Sequence, residues 1–329
     1  MPGFMTHYLF GVKNIKQLER ADACQKLRES IRAYQNVFQL GLQGPDIFFY
    51  HFGSQFQRIC PGSIVHTRST GDFIKCLIEA PELFWYEDEK QAARAYAAGF
   101  IGHYALDTHV HPYVYCLTGA GGQLKKKGYA DHIGLETDID AGLLMRYKKR
   151  LPSEFPYGKT IALGAGTRRT GAAILHYAYS VIFPELSLSK GFFARAVRSM
   201  QIGTMLTYNP HNYKRQIMSK AEQFFFGHLA ISTVIPSDQV KCYEDPLNLE
   251  HKQWHNPWNP SEYSDSSVPQ MIKKASGQYQ EALKRLDLLY QSEEFEDRYD
   301  ERMESVCRYL GQKSYHSGLD WTLGEEIEE

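Results

Sequence analysis

The chain has 329 residues, 43% hydrophobic and 23% charged, with 37 basic side chains against 38 acidic ones. This composition excludes a disordered chain and allows one large domain, or one domain with an extension, around a sizeable core. A net charge of −1 argues against a broad nucleic-acid-binding face, which needs clustered Lys and Arg, but leaves room for a small pocket that binds a charged substrate.

In chain order, the opening MPGFMTHYLFGV has no basic leader, no long apolar core and no small-residue cleavage site, so the expectation is a cytoplasmic protein without a secretory signal. The stretch from Ile15 to about Leu40 places Ile15, Leu18, Leu27, Ile31, Tyr34 and Phe38 on a helical period, which predicts one amphipathic helix ended by Gly41 and Gly44-Pro45. Asp46 follows that turn, where a carboxylate can simply cap a helix. From Glu87 to about His111 an acidic start and many alanines predict a long buried helix, with Pro112 marking its end. Further helices are predicted from about Ala130 to Tyr147, Thr170 to Ile182, Lys190 to Tyr208 and Tyr213 to Ile231. Between Pro236 and Ser267 the prolines, with Trp254 and Trp258, read as a long loop. Two polar amphipathic helices follow, about Val268 to Tyr290 and Glu294 to Leu310. Alternating strand patterns are scarce and no run of about 18 apolar residues occurs. The predicted fold class is therefore all-α, with roughly seven to ten helices.

The six cysteines are scattered without CxxC spacing, as expected of reduced thiols. Any bound metal must then rely on histidines and carboxylates, and the segment GHYALDTHVHP supplies both. At about 100° per residue, Asp107 lies about 40° and His111 about 80° round from His103, whereas His109 sits about 240° away. His103, Asp107 and His111 therefore share one face of the predicted helix. His132 and Glu136, in DHIGLE, are again four apart and project side by side. Two helices that each offer imidazole and carboxylate can bracket divalent cations. The apolar neighbours Tyr104, Leu106, Ile133 and Leu135 make an unpaired carboxylate costly there, and a cation would remove that cost. Taken alone, each His-x3-acid pair reads more simply as a helix contact. The reading as ligands rests on the whole set, with His7, Asp46 and His66.

The residues then carry a resemblance. The opening THYLFG, QGPDIFF, SIVH ending at His66, GHYALD followed by HPY, and HIGLE together resemble the zinc-dependent phospholipase C family, which is related to the P1-type nucleases. The motifs cover residues 1 to about 150, and the helix order extends the likeness to 235. The resemblance implies an all-α fold with two or three zinc ions in its core. Transferred position by position, His66, His103 and Asp107 would bind the first zinc, and His111, His132 and Glu136 the second. His7 would bind the third with the chain's own terminal amine and carbonyl, while Asp107 bridges the third to the first. Asp46 matches the aspartate assigned as the base that activates water, or as its orienting partner. Trimming of Met1 would make the imino nitrogen of Pro2 the terminal ligand. The gap from Asp107 to His111 is shorter than in the secreted enzymes, which leaves His111 and His109 as alternatives; the rotation argument favours His111.

The expected organisation is a catalytic domain over residues 1–235, with a loop and helical extension over 236–329 packed on it. The expected activity is metal-dependent hydrolysis of a phosphodiester, foremost cleavage of a phospholipid to diacylglycerol and a phosphorylated head group. Two alternatives stand beside it: a P1-type nuclease or 3'-nucleotidase, and a non-catalytic helical protein with a structural metal cluster. His176, His211 and His228 read as structural or exposed; His51, after an aromatic run, competes with His66, but only His66 sits where the family pattern has its ligand. The LKKK run from Leu124 to Lys127 reads as a solvated loop, in a position where basic residues can meet a phosphate or an anionic membrane surface. The glycines of GAGTRR, from Gly164, read as a turn.

Overall fold

A computed structural model describes residues 3–19, 24–119, 126–226, 232–238, 242–292 and 296–323. Pro2, His228, Leu124 and Lys125 lie outside the described residues. Twelve α-helices occur among the described residues: α1 (Phe4–Leu18), α2 (Gln25–Ala33), α3 (Gln35–Gly41), α4 (Pro61–Thr67), α5 (Thr70–Glu79), α6 (Glu87–Thr118), α7 (Lys126–Lys148), α8 (Ala165–Ile182), α9 (Lys190–Thr207), α10 (Lys214–Phe226), α11 (Val268–Gln291) and α12 (Glu296–Leu310). The fold is all-α apart from one antiparallel hairpin of β1 (Trp254–Asn256) and β2 (Asn259–Ser264). None of these helices is long and apolar enough to cross a membrane.

Helix α6 is the axis of the molecule. It opens with Glu87, Asp88 and Glu89, which complement the helix dipole, and is then buried almost all round. Its alanines and Gly99 let other helices come close. A Cβ added at Gly99 would sit 2.2 Å from the Phe38 carbonyl oxygen, and one at Gly41 would sit 2.3 Å from that of Tyr96. Helices α3 and α6 therefore cross almost backbone to backbone. On other sides α6 packs against α2, α7, α8 and α11. Two phenols fix the C-terminal helices to it: Tyr279 Oη donates to the Ala98 carbonyl at 2.8 Å and Tyr104 Oη to that of Leu310 at 2.9 Å. One hydrophobic cluster runs from Phe4 to Tyr315.

Helix α1 lacks a capping side chain at Gly3. Asp140 of α7 takes that role: its carboxylate accepts from Met5 N at 2.9 Å, Thr6 N at 2.7 Å and Thr6 Oγ1 at 2.6 Å. Hydrogen bonds to a charged acceptor typically contribute about 1.5–3 kcal/mol. Burial pushes this carboxyl up to about 6, against the hydrogen bonds from Thr6 and Met5, so it is ionised at neutral pH. A Cβ at Gly3 would collide with it at 2.3 Å, so the bare glycine is what lets α1 seat on α7.

Several sequence expectations are corrected. The helix predicted from Ile15 to Leu40 is divided among α1, α2 and α3, with Cys24 at φ +67° and Tyr34 out of helical geometry. A hydrophobic period continues across such breaks because every piece packs on the same core. Asp46 does not cap a helix; it lies inside a short 3-10 turn, Gly44–Phe48. Pro112 does not end α6, which runs on to Thr118. A proline in that position deprives the carbonyl four residues earlier of its donor, and that carbonyl, Thr108 O, faces the Cα of Gly318 instead. The loop between Pro236 and Ser267 contains the β1–β2 hairpin, paired from Trp254–Ser264 to Asn256–Asn259. Helix α8 begins at Ala165 rather than Thr170, so the GAGTRR glycines lie at a helix start.

Candidate metal centre

Five elements converge beside the middle of α6: α1 brings His7, the 3-10 turn brings Asp46, α4 brings His66, α6 brings His103, Asp107 and His111, and α7 brings His132 and Glu136. Asp107 is central and fully buried. Its oxygens lie 3.0 Å from His103 Nε2, 3.2 Å from His7 Nε2, 3.7 Å from His111 Nδ1 and 3.8 Å from His66 Nε2. Asp46 Oδ1 faces His66 Nε2 at 3.4 Å and His103 Nε2 at 3.6 Å. Glu136 Oε1 lies 2.9 Å from His132 Nε2 and 3.8 Å from His111 Nε2. Three groups of potential ligand atoms result: His7, His103 and Asp107; Asp46, His66 and His103; His111, His132 and Glu136.

The far side of each imidazole shows what these atoms are for. His66 Nδ1 donates to the Gly62 carbonyl at 2.7 Å, His103 Nδ1 to that of Leu42 at 3.1 Å and His111 Nδ1 to that of Tyr315 at 2.8 Å. A carbonyl can only accept, so the ring proton is on Nδ1 and the Nε2 lone pair points inward. His132 obeys the same logic. Thr118 Oγ1 spends its own proton on the Val114 carbonyl at 2.8 Å and so accepts from His132 Nδ1 at 3.2 Å. Inside the centre, the Nε2 atoms of His7, His66, His103 and His111 and both Asp107 oxygens are buried without a well-formed hydrogen bond. Buried lone pairs facing one another are costly unless a cation lies between them. Zinc bonds of 2.0–2.2 Å put tetrahedral ligand atoms about 3.3 Å apart, within the range observed here, and the Nδ1 contacts are the supporting shell such ligands need. The residues fit a cluster of divalent ions.

The family model for zinc dependent phospholipase C matches residues 6–183. The chain belongs to the zinc-dependent phospholipase C family. The matched span carries all eight residues of the three groups. No curated protein and no solved structure matches the chain.

In this zinc-dependent phospholipase C family member, His109, the alternative to His111, turns away. Its Nδ1 donates to the Ala105 carbonyl at 2.8 Å, and it lines a separate cavity beside Trp254. His51 bonds Ser54 Oγ at 3.1 Å and packs edge-on against Phe192, outside the cluster. His176 packs against Phe193, and His211 is exposed and stacked on Tyr213. Trp254 donates from Nε1 to the Ser266 carbonyl and rests on Tyr113. Trp258 packs on Tyr115, which in turn covers His132.

Burial pushes the Asp46 carboxyl up to about 8, with His103 opposing and Asp107 adding to the rise. For Asp107 burial acts in the same upward direction, but the His103 and His111 rings outweigh it and hold the carboxyl well below the usual range. Burial lowers His66 to about 3, so this ring is neutral and ready to ligate. Burial likewise holds His111 well below the usual imidazole range, and Asp46, raised by burial, must give up a proton when a cation arrives.

Two contributors escape sequence reasoning. The segment from Gly311 to Gly318 straps over the centre: Tyr315 N donates to the His66 carbonyl at 2.7 Å, and the Tyr315 carbonyl is the acceptor that orients His111. The Tyr315 ring lies against His66 and His103, and the ring of His316 stacks on His66 at 5.4 Å and stands edge-on to His111 at 5.7 Å. The available signal was slight, a Tyr-His pair between two glycines in a polar tail. These residues lie beyond the span that the family model matches.

Gly44 sets the position of His103. Its φ of +50° suits glycine, and an added Cβ would meet the His103 ring at 2.4 Å. Gly44→Ala is expected to cost about 2–5 kcal/mol, by summing left-handed strain and overpacking, and to lower zinc content because His103 must move. Denaturant unfolding together with metal analysis checks this; full stability and full zinc would show that the His103 position is not tightly held.

A cavity of about 230 Å³ opens beside the centre. Asp46, His66, His132, Glu136 and His316 form its reactive wall, and Phe4, Met5, Phe49, Tyr50, Met200, Val234 and Pro236 form much of the remainder. Among the described residues that line it there is no Lys or Arg.

Proposed function

We propose that this chain hydrolyses the phosphodiester of a phospholipid, releasing diacylglycerol and a phosphorylated head group, at a cluster of two or three zinc ions. The observation that carries this reading is the convergence of buried, inward-facing lone pairs on the wall of an apolar cavity. His111, His132 and Glu136 would hold one ion; His66, His103 and Asp107, with Asp46 close by, would hold another; His7 and Asp107 would hold the third. Zinc bound there supplies Lewis acidity, binding nonbridging phosphoryl oxygens and lowering the pKa of water.

The chain's own groups then divide the work. Asp46, at the cavity edge, accepts a proton from the attacking water as its oxygen bonds to phosphorus. The bond from phosphorus to the glycerol oxygen breaks, and that oxygen takes a proton from solvent. Asp107 fixes the His7, His66 and His103 rings around it. The apolar wall admits the glycerol and first acyl carbons of a phospholipid. Residues 1–235 serve as the catalytic unit, and 236–329 as an extension that contributes the strap over His66 and His111.

The test is to count zinc in the purified chain and to assay a chromogenic phosphocholine ester and bis-nitrophenyl phosphate with and without chelator. About two to three zinc ions per chain are expected, as the three ligand groups imply, with chelator-sensitive turnover that favours the phosphocholine ester. Full zinc without turnover of any diester would make the cluster structural, and preference for the nitrophenyl diester would point to nuclease chemistry.

A further inference from the structure

Helices α9 and α10 expose large apolar side chains. On α9, Ile202, Met205 and Leu206 are exposed at helical spacing; on α10, so are Ile217, Phe224 and Phe225, with Phe224 84% exposed. Soluble helices normally turn such stripes inward, so an exposed stripe on each of two helices marks an interaction face. The charges around it are one-sided. Lys190, Arg195, Arg198 and Lys220 are exposed on the same two helices, while the single carboxylate between residues 190 and 226, Glu222, is buried and hydrogen-bonded to Ser232 N and Oγ. In a chain of net charge −1, this segment is locally cationic. Arg198 precedes Ile202 by four residues and Lys220 precedes Phe224 by four, so cation and apolar side chain alternate along one stripe of each helix.

Helix α9 borders the cavity on its inner side and exposes this stripe on its outer side. Met200 of α9 is part of the cavity wall, and Gly203 packs on the ring of Tyr50, another wall residue, so closely that a Cβ would lie 2.6 Å away. Helix α10 is tied to the wall segment containing Val234 and Pro236 by Glu222 to Ser232 and by Arg215 Nη1 donating to the Ile235 carbonyl at 3.4 Å. Two residues past Tyr50, Phe52 is 76% exposed, and its ring packs against Phe56, which is 72% exposed. Helix α9 and the segment after Tyr50 thus border the cavity and also expose hydrophobic side chains, and α10 is tied to a further part of the wall.

We propose that α9 and α10, with Phe52 and Phe56, form a docking face for an anionic phospholipid bilayer, which presents lipid to the cavity mouth. Exposed apolar stripes interleaved with Lys and Arg match the interfacial region of such a membrane, where apolar side chains enter the acyl boundary and cations meet phosphate. The choice of a bilayer as occupant rests on the phospholipid-hydrolase reading, whereas the binding itself is measured without catalysis.

The experiment is sedimentation of the zinc-loaded full chain with phosphatidylcholine vesicles, with or without phosphatidylglycerol, while turnover of a soluble chromogenic diester is followed in the same sample. The chain is expected to co-sediment with the anionic vesicles and to be released by salt. The combined variant Met205→Ser, Leu206→Ser, Phe224→Ser and Phe225→Ser is expected to lose at least about tenfold in vesicle affinity with its circular dichroism and soluble-substrate turnover unchanged. Arg195→Glu with Arg198→Glu and Lys220→Glu should lose the preference for anionic lipid. Binding by the serine variant equal to that of the parent, or a parent that stays in the supernatant with every vesicle, overturns the proposal. A parent dimer that the serine variant dissociates, with no vesicle binding, overturns it too and assigns the face to a second copy of the chain. Vesicle binding without any diester turnover supports the docking face and removes the phospholipase reading instead.

Discussion

Asp107→Asn is expected to strip the centre of at least one zinc ion and to lower turnover at least about a thousandfold, toward the level left when catalytic groups are removed. The amide keeps the shape but not the charge that faces His7, His66, His103 and His111 at 3.0–3.8 Å. Breaking a buried charged network in this way costs about 3–5 kcal/mol, and lost metal affinity adds to that because metal binding free energy is part of folding free energy. The loss should be uneven. His111, His132 and Glu136 form a group that does not need Asp107, so one ion is expected to remain. Metal analysis and thermal unfolding of the variant read this directly; a variant that kept every zinc and wild-type turnover would remove Asp107 from the centre.

Asp46→Asn should behave differently. Asn retains an oxygen near His66 and His103, so zinc content is expected to stay close to wild type, while turnover falls by about 10²–10⁴, the usual contribution of a positioned general base. The fall should appear in kcat more than in KM, because Asp46 acts on the water and not on the lipid. Single-turnover kinetics with parallel metal analysis separate the two aspartates. Should Asp46→Asn lose zinc as Asp107→Asn does, Asp46 is a ligand first, and its position 3.4 Å from His66 Nε2 would be its whole role.

How far the chain could be read in advance differs from element to element. Helix α9 was placed almost residue for residue because Lys190 and Tyr208 bound an uninterrupted apolar period. Helix α6 was found but cut short at Pro112, since a proline's local cost is legible, whereas the burial of the whole helix, which outweighs that cost, depends on distant segments such as the one at Gly318 that packs on Thr108. The divided helix across Tyr34 failed for the opposite reason: one core-facing period conceals a break when both pieces pack on the same neighbour. At the site, the four-residue spacing of His103, Asp107 and His111 was enough to put them on one face, and the same spacing paired His132 with Glu136.

What amino-acid order settled alone was the all-α class, the family, and which imidazoles and carboxylates share a helix face, because helical periodicity and short motifs are local properties of the chain. What only the tertiary structure decided was the aim of those groups. The Leu42 and Tyr315 carbonyls choose the tautomers of His103 and His111 from 61 and 204 residues away, Asp140 seats His7's helix on α7, and Glu222 of α10 is turned inward to Ser232. Each of these depends on which backbone and side-chain groups meet across the core, and no local spacing records that.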